Sequence, residues 1–393
     1  MTSKWETVKL GDIATKRTDF TPVVASDKYE VVGVQRSGWG LARRDPVRGD
    51  SMKFSKLMRL HKDDLVYRVI TAFEAPSSVV DSSFEGSYVT PQTFPVFKLD
   101  TVQILPDFMQ LLTTYPVFHA DMAERCTGSV LRRKTLAVSS FLEIPIALPP
   151  LVEQHRIVDL IGALDDAIEA ANEKLAALVL VAGNQRDAMY DSPIKLIELE
   201  SICSSDGSLV SPLAPEYANM PHIGIDRIES GTGDLLSAQS AAEDGVTSGK
   251  FKFDSSHVIY SKIRPELQKV ALPEFDGICS ADAYPLLPIE GVPRIYLQQL
   301  LLSSGFTRKV VSKSGRTKMP KINKKELLSI LVPQHGTQEM LNFSELATAI
   351  AVARHKAATQ LDSLRALRTE LLTSLLSGAH EIPESYDEVM NAV

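Results

Sequence analysis

The chain has 393 residues, of which 44% are hydrophobic and 23% charged, and its formal net charge is −7. This length is too great for one ordinary domain, so we expect two globular units plus connecting structure. No run approaches 18 apolar residues and the start lacks the apolar core of a signal peptide, which predicts an intracellular protein without a membrane span. Cys126, Cys203 and Cys279 form no CxxC pair, which argues against disulfides and a cysteine-based zinc site.

Residues 1–150 have the pattern of a first unit built from short strands and then helices. Apolar runs bounded by turn residues predict strands at 31–34, 64–70 and 93–99. Residues 105–125 predict one or two helices, interrupted at Pro116. A basic loop with the sequence TGSVLRRK then closes the unit.

The longest helical pattern in the chain follows this unit. Ile144, Ile146 and Leu148 alternate as in a half-buried strand, and Pro149 and Pro150 end that strand. The apolar residues that follow are spaced alternately by four and three, which is the spacing of a coiled-coil seam: Ile157, Ile161, Leu164, Ile168, Ala171, Leu175, Leu178 and Ala182. The pattern exceeds the usual 8 to 20 residues of a helix, which favours a paired spacer helix over an amphipathic helix on a globular core.

The second half of the chain repeats the order of the first, which is the signature of an internal duplication. The matching segments are VKLGDI with IKLIEL, VVGVQR with HIGIDR, LVYRV with VIYSK, GSYVTPQTFPV with GICSADAYPL, and the basic loop with SGRTKMPKINKK. This alignment places Gln154 opposite Gln338. A second long helix is predicted from about 338 to 377, with Gly378 ending it.

The duplication predicts an α+β protein with two tandem, pseudo-symmetric α/β domains and two long antiparallel helices that form a coiled-coil spacer. The expected segments are a first domain, a first spacer helix, a second domain, a second spacer helix and a flexible acidic tail, at 1–150, 151–192, 193–335, 336–379 and 380–393. Arg354 and Arg368 fall on seam positions of the second helix. They either fix its register or turn outward as the helix drifts from a 3.5-residue period.

Motifs for catalysis are largely missing from the sequence. It contains no Asp-x-Lys or Glu-x-Lys, the pair that a PD-(D/E)xK nuclease uses beside its metal. GVTSGKF has one residue too few for a phosphate loop, and Pro149-Pro150-Leu151 lacks the Asn or Asp of an amino-methyltransferase motif. No two histidines lie three or four residues apart and no GxSxG is present, so no catalytic and no metal-ligating residues are predicted.

Binding to nucleic acid is the function that the remaining features favour. Net acidity belongs to the helices and the tail, whereas residues 308–325 hold eight Lys or Arg and no acid. A single cluster of this kind is more often a solvated face, but two in register on a duplicated scaffold favour contacts with phosphates and base edges. For Trp39 and Tyr260, core packing is favoured over base stacking. The candidate DNA-binding residues are Arg36, Arg43, Arg44, Arg48, Arg132, Arg133, Lys134, Lys262, Arg264, Arg316, Lys318, Lys321 and Lys324.

Three features together resemble HsdS, the DNA-specificity subunit of type I restriction-modification enzymes. They are IALPPLVEQHRIVDLIGALDDAIEA, VIYSKIRPELQKVALPEFDGICSADAYPL and the duplicated layout. The resemblance implies that each globular unit is a target-recognition domain for one half of a split, asymmetric DNA site. It also implies that the helices set the gap and dock two HsdM methyltransferase subunits, to which the HsdR translocase and nuclease joins. S-adenosylmethionine, ATP and Mg²⁺ would then belong to those partners, with no cofactor on this chain.

The same resemblance implies that partners bind at the starts of the two spacer helices. The candidate residues are Pro150, Glu153, Gln154, Arg156 and Gln338. In the alignment above, Pro150 and Glu153 have no counterpart at Gln334 and Thr337, so the two docking sites are expected to differ. Two other functions stay open at this point, a coiled-coil adaptor whose globular ends bind proteins and an enzyme with an unrecognised site.

Overall fold

The protein was analysed as a computed structural model, which describes residues 5–191, 195–205, 207–315, 319–383 and 385–387. These residues separate into two compact units. Unit 1 comprises residues 1–169 and 362–393, and unit 2 comprises residues 170–361, so the division falls within both long helices. None of the helices in the described ranges combines the length and the apolar character needed to cross a membrane.

Unit 1 is built from short antiparallel strands with small helices around them. Its strands are β1 (Glu6–Lys9), β2 (Ala14–Lys16), β3 (Phe20–Pro22), β4 (Lys28–Tyr29), β5 (Val32–Val34), β6 (Leu41–Arg43), β7 (Val47–Arg48), β8 (Lys56–Arg59), β9 (Asp64–Tyr67), β10 (Ser77–Val79), β11 (Tyr88–Val89), β12 (Val96–Leu99) and β13 (Pro145–Leu148). Its short helices are α1 (Leu10–Ile13), α2 (Pro106–Thr113), α3 (Pro116–Glu124) and α4 (Val138–Leu142). The main sheets have the strand orders β10-β9-β12-β2 and β11-β8-β3.

Aromatic side chains fill the centre of unit 1. Tyr67 stacks on Phe141 with ring centroids 3.9 Å apart, and Phe97 lies 5.6 Å from Phe141. The Tyr67 hydroxyl donates to the Leu136 carbonyl at 2.9 Å. Because Tyr67 belongs to β9 and Leu136 follows the basic loop, this bond ties the loop to the core.

Unit 2 repeats the plan with different strand lengths. Its strands are β14 (Leu196–Glu198), β15 (Cys203–Ser204), β16 (Leu209–Val210), β17 (Pro221–Ile223), β18 (Gln239–Ser240), β19 (Lys250–Phe253), β20 (Val258–Ser261), β21 (Val270–Ala271), β22 (Gly277–Cys279), β23 (Ala283–Pro288) and β24 (Leu331–Pro333). Its short helices are α6 (Pro215–Ala218), α7 (Arg294–Leu301), α8 (Ser304–Lys313) and α9 (Lys324–Leu328). The sheets have the orders β15-β23-β20-β21 and β16-β19-β22-β17-β18, and β17 pairs with β22 in parallel.

The two predicted long helices are present, each with 40 residues: α5 (Leu151–Tyr190) and α10 (Thr337–Leu376). The predicted seam is confirmed, because its apolar residues in both helices are buried or half-buried. In unit 1 the α5 and α10 segments run antiparallel: Ile157 and Leu375 lie in one core, and further along α5 Asp165 pairs with Arg368 at 2.9 Å. In unit 2, Arg354 pairs with Asp234 at 2.6 Å. Both seam arginines are therefore half-buried and ion-paired.

The structure changes the register of the duplication at the start of the long helices. Ile144 and Ile330 are equivalent, because their carbonyls accept from the backbone N–H groups of Leu10 and Leu199 respectively. The offset here is thus 186 residues, and both helices also begin and end 186 residues apart. Matching Gln154 with Gln338 assumed 184. The alignment had matched Pro149 with Pro333, whereas at an offset of 186 residues the equivalent of Pro149 is His335.

This offset gives new counterparts to the residues at the helix starts. Glu153 is equivalent to Glu339 and Gln154 to Met340, so the prediction that Glu153 has no counterpart is wrong. The first strand of each unit needs a different offset of 189, since Leu10 and Leu199 occupy the same position. Insertions between elements therefore change the offset, so an alignment that uses one constant offset does not match all equivalent residues.

The described part of the acidic tail is docked on unit 1 and is not loose. Gly378 ends α10 with φ 70°, as predicted. Ile382 is buried in the unit 1 core, and Tyr386 packs against that core. Arg156 on α5 donates to Asp387 through Nε at 2.8 Å and through Nη2 at 2.5 Å. The tail thus returns to the first turns of α5.

We expect Arg156 to control the ionisation of Asp387. The hydrogen bonds and charge of the guanidinium lower the pKa of this carboxyl below its ordinary value. A lowered pKa in the folded state stabilises the docked tail above the unfolded pKa, and this stabilisation is lost as the pH falls through the folded pKa. An NMR titration should show the pKa of Asp387 returning to its ordinary value in Arg156→Met, with no change in Lys174→Met. An unchanged pKa in Arg156→Met would contradict the pairing.

Candidate nucleic-acid interface

Each unit contains one tight turn whose first and last residues have a left-handed backbone. In unit 1 this turn is 71–75, with φ of 57° and 48° at its ends around a short 3₁₀ helix. In unit 2 it is 264–268, with φ of 46° and 48° around a similar 3₁₀ helix. None of the four end residues is glycine, so the backbone is strained, and strain of this kind collects at functional sites. We call these segments the left-handed turns.

Each left-handed turn is hydrogen-bonded to the basic loop of its own unit. The Thr71 N–H donates to the Lys134 carbonyl at 2.8 Å, and the Arg264 N–H donates to the Pro320 carbonyl at 2.9 Å. An isolated β-bridge beside each turn repeats as well, linking Ile70 with Thr135 and Ile263 with Lys321. The predicted duplication of the basic loop thus includes its attachment to the rest of the unit.

In unit 1 the basic loop presents two arginines to solvent. Thr127 and Thr135 close the loop by exchanging two backbone hydrogen bonds of 2.9 Å. Arg132 and Arg133 lie near its tip in a 3₁₀ turn (Leu131–Arg133), and both are exposed. Neither guanidinium has a hydrogen bond or ion pair with the part of the chain that the structure describes, so both are available to an anion.

In unit 2 the lysines of the equivalent region lie around one carboxylate. The Lys321 Nζ lies 3.2 Å from Asp282 Oδ1, and the Lys262 Nζ lies 3.9 Å from the same oxygen. Lys262 also donates to the Ala281 carbonyl at 2.6 Å. Arg264 is exposed, and none of the described residues pairs with its side chain. Asp282 offsets part of the positive charge here, so Arg264 is the most available cation of this group.

The remaining predicted residues of unit 2 are Lys324, Arg316 and Lys318. Lys324 lies at the start of α9, and its Nζ donates to the Ser205 carbonyl. Arg316 and Lys318 lie outside the described residues.

The structure places an exposed tryptophan beside the left-handed turn of unit 1, where sequence favoured core packing. Trp39 is 61% exposed, and the Arg36 guanidinium lies over its ring at 4.9 Å. Gly38 just before it donates its N–H to the Ala75 carbonyl at 3.3 Å. The prediction for Trp39 was wrong because glycines on both sides turn the backbone outward. For Tyr260 it was right, since this residue is 3% exposed.

The other predicted arginines of unit 1 differ in whether their guanidinium groups form ion pairs. Arg43 pairs with Glu30 at 3.1 Å, and Arg48 pairs with Asp50 at 2.9 Å. Arg44 is exposed and has no ion pair with any described residue. Pairing of exposed groups is weak and reversible, so all three stay candidates, with Arg44 the most available.

Sequence reasoning missed Arg68, which supports the left-handed turn of unit 1. Its Nε donates to the Ile70 carbonyl at 3.0 Å, and its Nη2 donates to Glu74 at 2.6 Å. The residue follows β9 directly, so its charge was hidden within an apolar strand motif. Only the turn that Arg68 braces reveals its role.

The predicted partner-binding residues occupy different environments. Pro150 is exposed, and its carbonyl accepts the first helical N–H bonds of α5. Glu153 and Arg156 are half-buried and lie 3.6 Å apart. Gln154 is completely buried, whereas Gln338 is exposed and donates to Asn342 on its own helix.

No group of three or more His, Cys, Asp or Glu side chains in the described ranges is arranged to hold a metal ion. The arrangement in both units is that of a binding surface. Unit 1 presents arginine side chains on the basic loop that bonds to its strained turn, and unit 2 presents Arg264 on the turn itself and Lys321 beside it. The fold and these surfaces define a duplicated α+β binding protein.

Comparison with known proteins matches the first part of the sequence to one family. A family model described as the type I restriction modification DNA specificity domain matches residues 2–179. A specificity subunit of the type I restriction enzyme EcoDI from Escherichia coli is 40% identical over 137 residues. That match covers 35% of this chain and 30% of the relative, so it spans under a third of the relative's length.

Solved structures share the fold over nearly the whole chain. The HsdS subunit from Thermoanaerobacter tengcongensis aligns with a TM-score of 0.52 and 14% identity, covering 95% of this chain and 97% of that one. The S subunit of a type I restriction-modification system from M. genitalium has the same TM-score and identity, with coverages of 95% and 96%. A chain from a study of assembly and conformational transition of the type I R-M system has a TM-score of 0.61 at 15% identity, covering 95% and 97%. Residues 2–179 therefore match the type I specificity domain in sequence, and nearly the whole chain has the fold of the solved HsdS subunits.

Proposed function

We propose that this chain is the non-catalytic DNA-reading subunit of a type I restriction-modification complex. Each unit reads one half of a bipartite, asymmetric duplex site through its left-handed turn and basic loop. The observation that carries the proposal is the occurrence of this pairing once in each unit, with the same backbone hydrogen bond joining turn and loop. Exposed Arg132, Arg133 and Arg264 supply the planar forks that match guanine edges or phosphates.

The long helices would set the gap between the two half-sites and dock two methyltransferase (HsdM) subunits. Valine and leucine side chains on both helices are more than 40% exposed, which favours an apolar partner on the pair: Val152, Val179, Leu180, Val181, Leu341, Leu346, Val352 and Leu367. A translocase and nuclease (HsdR) would join this core. S-adenosylmethionine, ATP and Mg²⁺ would be bound by those partners, and the complex would act on DNA in the bacterial or archaeal cytoplasm.

The test begins with the chain assembled with its methyltransferase partner. Mapping methylated adenines in DNA exposed to this complex should reveal one bipartite sequence. Binding to that duplex should exceed binding to a scrambled duplex by about 10³-fold or more, and both affinities should fall steeply with salt. Equal binding to both duplexes would contradict the proposal and favour a protein-binding adaptor.

The gap-setting role has its own test. Deleting residues 172–178 and 355–361 removes one heptad from each helix and keeps the seam spacing. Each helix shortens by about 10 Å, so the preferred gap should decrease by about 3 base pairs. Replacing the same heptads with alanine-rich heptads of equal length is the control and should preserve the gap. An unchanged gap in the deletion variant would show that the helices do not set it.

Arg264→Gly should separate stability from binding. Glycine adopts a left-handed backbone without the usual penalty, so the free energy of unfolding should rise by about 1 kcal/mol. Loss of the guanidinium should weaken binding to the mapped duplex about tenfold. Arg264→Lys keeps the strain and the charge, and should leave stability unchanged. Urea denaturation and duplex titration measure the two effects, and a glycine variant that is no more stable than wild type would show that the turn is not strained.

A further inference from the structure

Unit 2 contains a buried arginine without a carboxylate partner. Arg186 on α5 is 7% exposed. Its Nε donates to the Ala182 carbonyl at 3.0 Å and its Nη1 donates to the Gly231 carbonyl at 2.7 Å. Neither bond supplies negative charge, and the described residues include no ion pair with this guanidinium. Buried arginines are rarely left uncompensated, because removing the charge from water is costly.

The unit also holds a small cavity beside this side chain. Its volume is about 30 Å³, enough for one water molecule or a monatomic ion of similar size. It is lined by Val179, Ala182, Gln185 and Arg186 of α5, by Ala347, Ile350, Ala351 and Arg354 of α10, and by Thr232 and Gln299. Both long helices therefore contribute a guanidinium to one cavity wall.

The cavity wall includes nitrogen donors that can serve an anion. The Gln185 Nε2 is buried and has no hydrogen-bond partner. Arg186 has N–H groups beyond the two that bind carbonyls, since a guanidinium carries five. Arg354 pairs with Asp234 at 2.6 Å, whereas Arg186 has no ion pair with a described residue. Burial lowers the pKa of Arg186 and the charge of Arg354 lowers it further, while the nearby charge of Asp187 offsets part of this effect.

We propose that this cavity binds one monatomic anion of the size of chloride. A water molecule in the cavity would leave the positive charge of Arg186 in place. A chloride ion accepts from the Gln185 amide and both guanidinium groups, and it neutralises Arg186. The bound anion would link α5, α10 and the loop around Gly231 within unit 2.

The experiment compares thermal unfolding of the full chain in sodium chloride and in sodium gluconate at an equal ionic strength of about 0.15 M. At roughly ten times the dissociation constant, chloride should raise the unfolding midpoint by about 3 °C. Arg186→Met should abolish the difference, and Gln185→Met should reduce it. Lys174→Met removes an exposed charge from the same helix and should retain the full difference.

Crystals soaked in sodium bromide provide a readout that does not need a variant. An anomalous peak is expected between Gln185, Arg186 and Arg354. If Arg186→Met does not fold, this peak in the wild-type protein decides the question. Equal wild-type midpoints in the two salts, a chloride effect that persists in Arg186→Met, or a bromide map without the peak would each overturn the proposal.

Discussion

The double variant Arg132→Ala and Arg133→Ala is expected to lose affinity for one half of the DNA site and to keep its affinity for the other. Both side chains are exposed near the tip of the unit 1 basic loop and have no partner in the described part of the chain. A good base-edge contact by an arginine contributes about 1–3 kcal/mol, so binding to the mapped duplex should weaken by about 10- to 100-fold. The measurement is a titration against two duplexes, each with one half-site scrambled.

Half-site specificity distinguishes this result from a general loss of positive charge. On the duplex whose unit 1 half is already scrambled, the double variant should bind like wild type. Lys174→Ala with Lys356→Ala removes two exposed charges from the long helices and serves as the control, with little change expected on either duplex. In unit 2, Arg264→Ala with Lys321→Ala should show the reverse preference, as should Arg316→Ala with Lys318→Ala. Equal losses on both halves would mean that the units do not read separate half-sites.

The features of the fold that recur along the chain could be predicted from the sequence. The seam residues from Ile157 to Ala182 share one helix face. Their periodic spacing is visible in the sequence without knowledge of the contacts that they make. The duplication was recognisable for the same reason. Its register was not, because the offset between equivalent residues changes from 189 at Leu10 to 186 at Ile144.

The candidate site was harder to predict because its shape depends on backbone conformation. The left-handed residues Thr71 and Arg264 are not glycines, so no residue type marks their positions. Tryptophan is a residue type typical of the core, yet Trp39 is exposed, with the Arg36 guanidinium over its ring. The acidic tail had the composition of a disordered segment, but Ile382 and Tyr386 pack it against the unit 1 core. Tertiary contacts decide each of these cases.

Gln154→Met is expected to destabilise unit 1 by about 3 kcal/mol. The side chain is completely buried, and its Oε1 accepts from the Leu105 N–H at 2.8 Å. Its Nε2 donates to the carbonyls of Gln103 at 2.9 Å and Pro149 at 2.8 Å. Methionine fills a similar volume but leaves these backbone groups unpaired, and each unpaired buried group costs about 1–3 kcal/mol. Urea denaturation measures the loss, and the exposed Gln338→Met should change stability by less than about 0.5 kcal/mol.

A comparison with unit 2 explains why unit 1 needs Gln154 and unit 2 has no glutamine at the equivalent position. The residue equivalent to Gln154 is Met340, which is buried in the unit 2 core. Leu105 precedes the first turn of α2, and the residue in that position before α7 is Pro293. Proline has no N–H, so unit 2 lacks the donor that the Gln154 carbonyl oxygen satisfies in unit 1. The two pairs, Leu105 with Gln154 and Pro293 with Met340, are alternative solutions at one position.

This comparison predicts a partial rescue. Leu105 has φ −71° and ψ 135°, which proline can adopt, so Leu105→Pro removes the unpaired N–H without straining the backbone. In the Gln154→Met background it should recover about 1 kcal/mol, whereas in the wild-type background it discards the bond to Gln154 and should destabilise unit 1. A double-mutant cycle followed by urea denaturation measures this coupling. Additive effects of the two substitutions would mean that the Leu105 N–H does not need Gln154.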